Sequence, residues 1–223
     1  MVNNNLLEQC ATIYLSICKN GTFVPLSTLI DSIETGSRPK GGALTEGIPS
    51  VGAEKIESFG CYDYSTEKYI GEEYFSKLKR GIVASGDVLL YKDGAYTGKS
   101  SMALDGFPHA RCAVNEHVFI LRSADKYAQA FLYFTVHSEE VRQKIHSLAC
   151  GKAAQPGLNQ QELLSVEVKI PSVEEIIRFE SLVEPIMHQV ALNALENKKL
   201  CNLRDISLPK LISGEIDVSK VDV

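Results

Sequence analysis

Four short stretches carry the side chains able to do chemistry. In the first, Thr35-Gly36-Ser37-Arg38-Pro39-Lys40-Gly41-Gly42, two cations stand beside main-chain N–H groups that glycine and proline keep out of regular structure. Two cations beside free N–H groups suit a phosphate; a plain surface loop is the other reading of the same run. In the second, Lys92 to Lys99, Asp-Gly and Thr-Gly make a tight hairpin-like loop with a lysine at each end and Tyr96 inside it. This is not a nucleotide-phosphate loop, because the G-x-x-x-x-G-K-[ST] spacing is absent. The third holds His109, Arg111, Cys112 and His117, close enough together to raise a zinc site. No second pair stands at ligand spacing, and Val114 to Ile120 alternates like a plain strand. The fourth, Gly151 to Asn159, is a loop with Lys152, Gln155 and Asn159, closed by an Asn159/Glu162 capping pair. Between Cys61 and Gly81, Tyr62, Tyr64, Tyr69 and Tyr74 alternate with Lys68, Lys77, Lys79 and Arg80, but Glu67, Glu72 and Glu73 are mixed in. A solvated amphipathic segment fits that stretch as well as a binding face does.

Tests for catalysis fail together. There is no N/D-P-P-Y/F motif for adenine methylation and no G-x-G-x-x-G fingerprint. Glu167-Val168-Lys169 has the E-x-K spacing of a metal nuclease, but it alternates like a strand and no acidic partner stands near it. The chain therefore reads as non-catalytic, with no metal and no cofactor.

The elements that must position these loops follow from periodicity. Leu6, Leu7, Cys10, Ile13, Tyr14, Ile17 and Cys18 have helical spacing, and Asn20-Gly21 ends that helix, which is too short to stand alone. Gly86-Asp87 turns into a buried strand, Val88 to Tyr91. Ser123 is expected to cap a helix through Val136, Ser138 another to Cys150, and Leu163 to Ile170 forms a returning strand. After Pro171, Ser172 and Glu175 have capping-box spacing, and Ile176, Phe179, Val183, Ile186 and Val190 recur three and four apart, the seam of a helix packing on a helix. Pro185 is expected to kink or break it. The following helix should run to about Ile206 and end at Leu208-Pro209. That second part is apolar on more than one side, so Ile186, Val190 and Leu195, with Leu200 beyond, predict a second helix partner.

The bulk properties are those of a globular protein. The net charge is −5, and Val24 to Ile170 holds 16 Lys+Arg against 18 Asp+Glu, so nucleic-acid binding requires clustered cations or help from partners. The six scattered cysteines read as reduced and mostly buried in a cytoplasmic protein. No apolar run reaches membrane-spanning length, and the polar start Met1-Val2-Asn3-Asn4-Asn5 does not read as a signal peptide.

The closing run from Ile170 resembles the conserved region that ends the specificity subunit of type I restriction–modification systems. Leu203-Arg204-Asp205…Leu208-Pro209-Lys210-Leu211…Ser213-Gly214-Glu215-Ile216 fits that region well, whereas Pro171-Ser172-Val173-Glu174-Glu175 departs from the usual entry to the helix. Gly86-Asp87-Val88-Leu89-Leu90…Lys92-Asp93-Gly94…Gly98-Lys99 and the Gly36 to Glu54 run resemble parts of that family's recognition domains. The resemblance implies a mixed α/β target recognition domain at 22–170. It implies an N-terminal helix at 1–21 packed on a coiled-coil-like helical arm at 171–214, with a tail at 215–223. It further implies that the chain reads half of a split double-stranded DNA target through Arg38, Lys40, Lys92, Tyr96, Lys99, Arg111, Lys152, Gln155 and Asn159. Arg and Lys suit guanine edges or phosphates, and Gln and Asn suit adenine edges. The chain would correspond to the C-terminal half of a full specificity subunit; methyltransferase and restriction subunits would be the partners, with a homodimer through the C-terminal helices the expected assembly and pairing with a different half-subunit or the methyltransferase the alternative. A protein-interaction module without DNA binding is the alternative, and a small hydrolase with an unrecognised site is a more distant one.

Overall fold

The computed structural model describes residues 2–123, 128–151 and 157–215. In chain order the elements are α1 (Val2–Cys18), β1 (Thr22–Pro25), β2 (Ile30–Thr35), β3 (Ile48–Val51), β4 (Tyr69–Ile70), α2 (Glu72–Ser76), β5 (Val88–Tyr91), β6 (Ser100–Met102), β7 (Ala113–Val114), β8 (Val118–Ser123), α3 (Gln129–His137), α4 (Glu139–Cys150), α5 (Gln160–Leu164), β9 (Glu167–Ile170) and α6 (Val173–Ile212). This is a mixed α/β fold with a long C-terminal helix.

The central sheet is antiparallel in the order β2-β8-β5-β6. Val88, Leu89 and Leu90 are buried without alternation, as are Val118 to Leu121, so both faces of the inner strands are covered. One face meets α3, whose residues Ala130 to Val136 are all buried, the pattern of a core helix. A separate three-stranded sheet, β4-β3-β7, with β3 and β7 parallel, packs Val51 and Val114 against Leu89, Val118 and Ile120 of the central sheet. The antiparallel pair β1-β9 sets Thr22 opposite Ile170. A Cβ on Gly21 would fall 2.9 Å from the Ile170 carbonyl, so only glycine allows this approach. The chain before β1 and the chain after β9 therefore leave side by side, and α1 packs on α6. Tyr14 lies between the rings of Phe131, Phe134 and Phe179, at centroid distances of 5.3, 6.3 and 6.2 Å.

Both capping boxes are formed, Ser172 with Glu175 and Asn159 with Glu162, and Ser138 caps α4. Several expectations need correction. α6 is one continuous helix through Pro185 and Pro209. Pro185 and Ser181, whose carbonyl loses its donor, face solvent, where water can replace the lost bond, while Val183 and Met187 hold the buried side. Val114 to Ile120 is not one strand. Asn115 Oδ1 accepts the N–H of His117 at 2.9 Å, a local turn that separates β7 from β8. Ser123 is still in the ladder opposite Ile30, and α3 begins only at Gln129, with Ala128 at its N-cap. The Ser123 N–H donates to Gln129 Oε1 at 2.8 Å, and the first turn of α3 is served by Glu180 of α6, which accepts the Phe131 N–H at 2.7 Å. The stretch from Leu163 is strand only from Glu167, its start belonging to α5. Half of the cysteines rather than most are buried, Cys61, Cys150 and Cys201 being exposed.

On α6, Ile176, Phe179, Val183 and Val190 are buried, Ile186 and Leu195 are half-buried, and Leu200 is exposed. The uncovered apolar surface expected between Ile186 and Leu195 is therefore mostly filled by the chain itself, with α1 and α3 both packing on α6. Leu192 stays exposed there, and most of the exposed apolar residues lie further on, at Leu200, Leu203, Ile206, Leu208, Leu211 and Ile212. No helix among the described residues is long and apolar enough to cross a membrane.

Candidate nucleic-acid interface

At one end of the central sheet β2 and β5 finish and β6 and β8 begin, with Thr35 opposite Phe119 and Tyr91 opposite Val118. The loops that leave there carry most of the residues singled out above. In the β5–β6 hairpin, the Tyr91 N–H bonds the Lys99 carbonyl and the Gly98 N–H bonds the Tyr91 carbonyl, both at 2.9 Å. Gly94 and Gly98 have φ of 97° and 101°, which the tight turn requires. Lys92 reaches Asp93 at 2.8 Å and lies 5.4 Å over the Phe119 ring. Lys99 reaches Glu57 at 2.7 Å and lies 4.4 Å over Tyr96. Both ammonium groups are thus neutralised within the fold, while Tyr96 is 61% exposed.

The neighbouring loops are tied to this hairpin by a chain of charges. Arg38 pairs with Glu116 at 2.8 Å, His117 lies 3.3 Å from Glu116 and 3.0 Å from Asp93, and Asp93 holds Lys92. Asp93 also bridges Gly157, and the Leu158 N–H bonds the Lys92 carbonyl at 2.8 Å. Arg38, Lys92 and Asn159 therefore come from loops that meet. Asn159 Oδ1 is engaged in capping α5. Lys152 and Gln155 lie outside the described residues. Lys40 is exposed, without an ion pair among the described residues. Arg111 does not join the chain of charges. Both its Nη atoms bind Glu72, and its guanidinium stacks 4.6 Å from Phe75 beside the three-stranded sheet.

Glu116, His117 and Asp93, which connect these loops, were not among the predicted DNA-contacting residues; the turn at Asn115 that presents Glu116 and His117 was hidden in an alternating run. Towards the other end of the sheet, Arg122 binds Asp87 through Nε and Nη2 at 2.7 and 2.8 Å and Glu34 through Nη1 at 2.5 Å. Burial pushes the Glu34 carboxyl up, but bonds from the Gly81 N–H and from Arg122 outweigh it and hold the group below its ordinary value.

The residues considered for zinc are dispersed. His109 bonds Glu67 at 2.6 Å, and burial holds its imidazole below the ordinary value. Cys112 is buried, its thiol pushed up to about 12, and His117 belongs to the loop network. No group of three metal-ligating side chains occurs among the described residues.

No family model matches the chain. Over 102 residues it is 31% identical to the type I restriction enzyme HindI specificity subunit of Haemophilus influenzae, an alignment covering 46% of this chain and 22% of that protein. Over 203 residues it is 22% identical to the type I restriction enzyme MjaVIII specificity subunit of Methanocaldococcus jannaschii, covering 89% of this chain and 47% of the other. This chain is similar to type I restriction specificity subunits. It spans about half or less of the length of these curated specificity subunits. The fold agrees. The S subunit of a type I restriction–modification system from M. genitalium superposes with a TM-score of 0.60 at 14% identity, over 94% of this chain and 54% of that one. The long helix and the mixed α/β body are thus shared with a specificity subunit along nearly the whole of this chain.

Proposed function

We propose that the chain is the DNA-reading component of a type I restriction–modification complex and reads one half of a two-part target. The observation that carries this is the alignment of 89% of the chain with a protein named as a specificity subunit. Residues 22–170 are the recognition domain, 1–21 and 171–214 the helical spacer, and 215–223 a tail. Arg38, Lys40 and Tyr96 face the duplex from the loop end of the sheet, with Lys92, Lys99 and Asn159 fixing the shape of the loops, and Lys152 and Gln155 are further DNA contacts outside the described residues. Methyl transfer and cleavage belong to methyltransferase and restriction subunits docked on the helices, and this chain carries no catalysis of its own. Two copies pair through the exposed apolar end of α6, so that two identical readers face one site.

The alternative, an assembly module that leaves DNA to its partners, is favoured by one observation: the net charge of −5, with Arg38, Lys92, Lys99 and Arg111 all paired to the chain's own carboxylates. Fluorescence anisotropy of a labelled duplex with the purified chain separates the two. We expect binding that weakens steeply as salt rises. No binding at low salt supports the assembly module, and methyl transfer or cutting by the chain alone overturns the non-catalytic reading.

A further inference from the structure

We propose that Lys79, Arg80 and Lys40 form a contact for the phosphate backbone of duplex DNA; this rests on the reading of the chain as a DNA reader. The first observation is a close approach of main chains. A Cβ on Gly36 would fall 1.6 Å from the Val114 carbonyl oxygen, and one on Gly81 would fall 2.6 Å from the Gly36 Cα. Only glycines allow the two loops to touch. The Gly81 N–H is held by Glu34 Oε2 at 2.8 Å and its carbonyl by the Val114 N–H at 2.8 Å, so Lys79 and Arg80 are anchored immediately beside a fixed point. From the other side, Ser37 Oγ lies 2.7 Å from the Tyr74 hydroxyl of α2. The 36–42 and 77–81 loops thus form one surface.

The second observation is the charge on that surface. The neighbouring carboxylates are each engaged: Glu34 with Arg122, Glu72 with Arg111, Glu73 with Lys77 and Glu116 with Arg38. Lys40, Lys79 and Arg80 are exposed and have no ion pair among the described residues. Lys79 and Arg80 on one loop and Lys40 on the loop that touches it thus carry charge that is not held in ion pairs, Arg80 acting on Glu34 only through space, on a chain whose net charge is −5. Gly41 and Gly42, with open space where a side chain would stand, let a strand of DNA come close to the main chain. Cations spread over an open surface fit a run of phosphates, which positions the protein without reading sequence.

The test measures binding of the full chain to a labelled 30-base-pair duplex of mixed sequence across a salt series. Lys79→Ala/Arg80→Ala should lower the slope of log affinity against log salt by about 1.8, the loss expected for two phosphate contacts. Lys199→Ala/Lys210→Ala removes the same charge from the far end of α6 and should leave the slope unchanged. Melting temperatures check that the variants fold. A wild-type slope in the Lys79/Arg80 variant overturns this inference and leaves the reading of the chain as a DNA binder standing. An equal drop in both variants also overturns it, by showing a net-charge effect, and absence of wild-type binding sinks both readings.

Discussion

Glu180 shows how one residue couples two elements. Its carboxylate lies on α6 and accepts the N–H of Phe131 at 2.7 Å and that of Ala130, at the start of α3. Burial dominates over those two bonds and raises its pKa from 4.5 to about 7. An acid raised in the folded state binds a proton there that the unfolded chain has already lost. Its contribution to stability is therefore fully present below about 4.5 and is lost as pH rises through about 7. Glu180→Gln keeps an oxygen acceptor for the Phe131 N–H and cannot ionise. Its melting temperature should fall less than that of the wild type between pH 5 and pH 8, with a gain at pH 8 on the order of 1–3 kcal/mol. Parallel curves would contradict the assignment. Local residue chemistry was legible in the sequence: Ser172 with Glu175 and Asn159 with Glu162 lie three apart and cap as their types dictate. Partners distant in the chain were not. Nothing near Arg38 announces Glu116, or near Lys99 announces Glu57, because those pairs form only when the sheet brings its loops to one end.

Among the elements, α6 carries the most and departs furthest from the pattern of its sequence. Its apolar spacing announced a helix, but the rule that proline breaks helices failed at Pro185, where the bond is lost on the wet side and packing continues on the dry one. The short strands β3 and β7 were illegible for another reason: they pair in parallel across more than sixty residues, and neither is long enough to show a period. Burial also moves the expected pairing face. Val190 is fully buried, so a charge there would disrupt the body rather than a dimer. From Lys199 to Glu215 every side chain but Ser207 is exposed, and Leu203 and Ile206, three apart on one face, are 60% and 61% exposed. An apolar stripe on a projecting helix is the feature that self-association would cover. Light scattering at micromolar concentration should give a dimer mass for the wild type. Leu203→Lys/Ile206→Lys should give a monomer with an unchanged melting temperature, and a wild-type monomer would sink the homodimer.

For the whole molecule, the β1–β9 pair is decisive, because it sends both ends of the chain out together as α1 and α6 and leaves the loop end of the central sheet free. In the proposed function one chain would supply one reading surface and one helical arm, the chain spanning about half the length of the curated specificity subunits. Two copies joined through their arms would present identical surfaces at a fixed separation, and a type I complex built on them would modify a site with two identical inverted halves around a constant gap. Methylation profiling of genomic DNA, from cells with the gene intact and from cells lacking it, tests this most directly. The account predicts a methylated two-part palindrome that disappears when the gene is removed. A methylation pattern that is the same with and without the chain would contradict it.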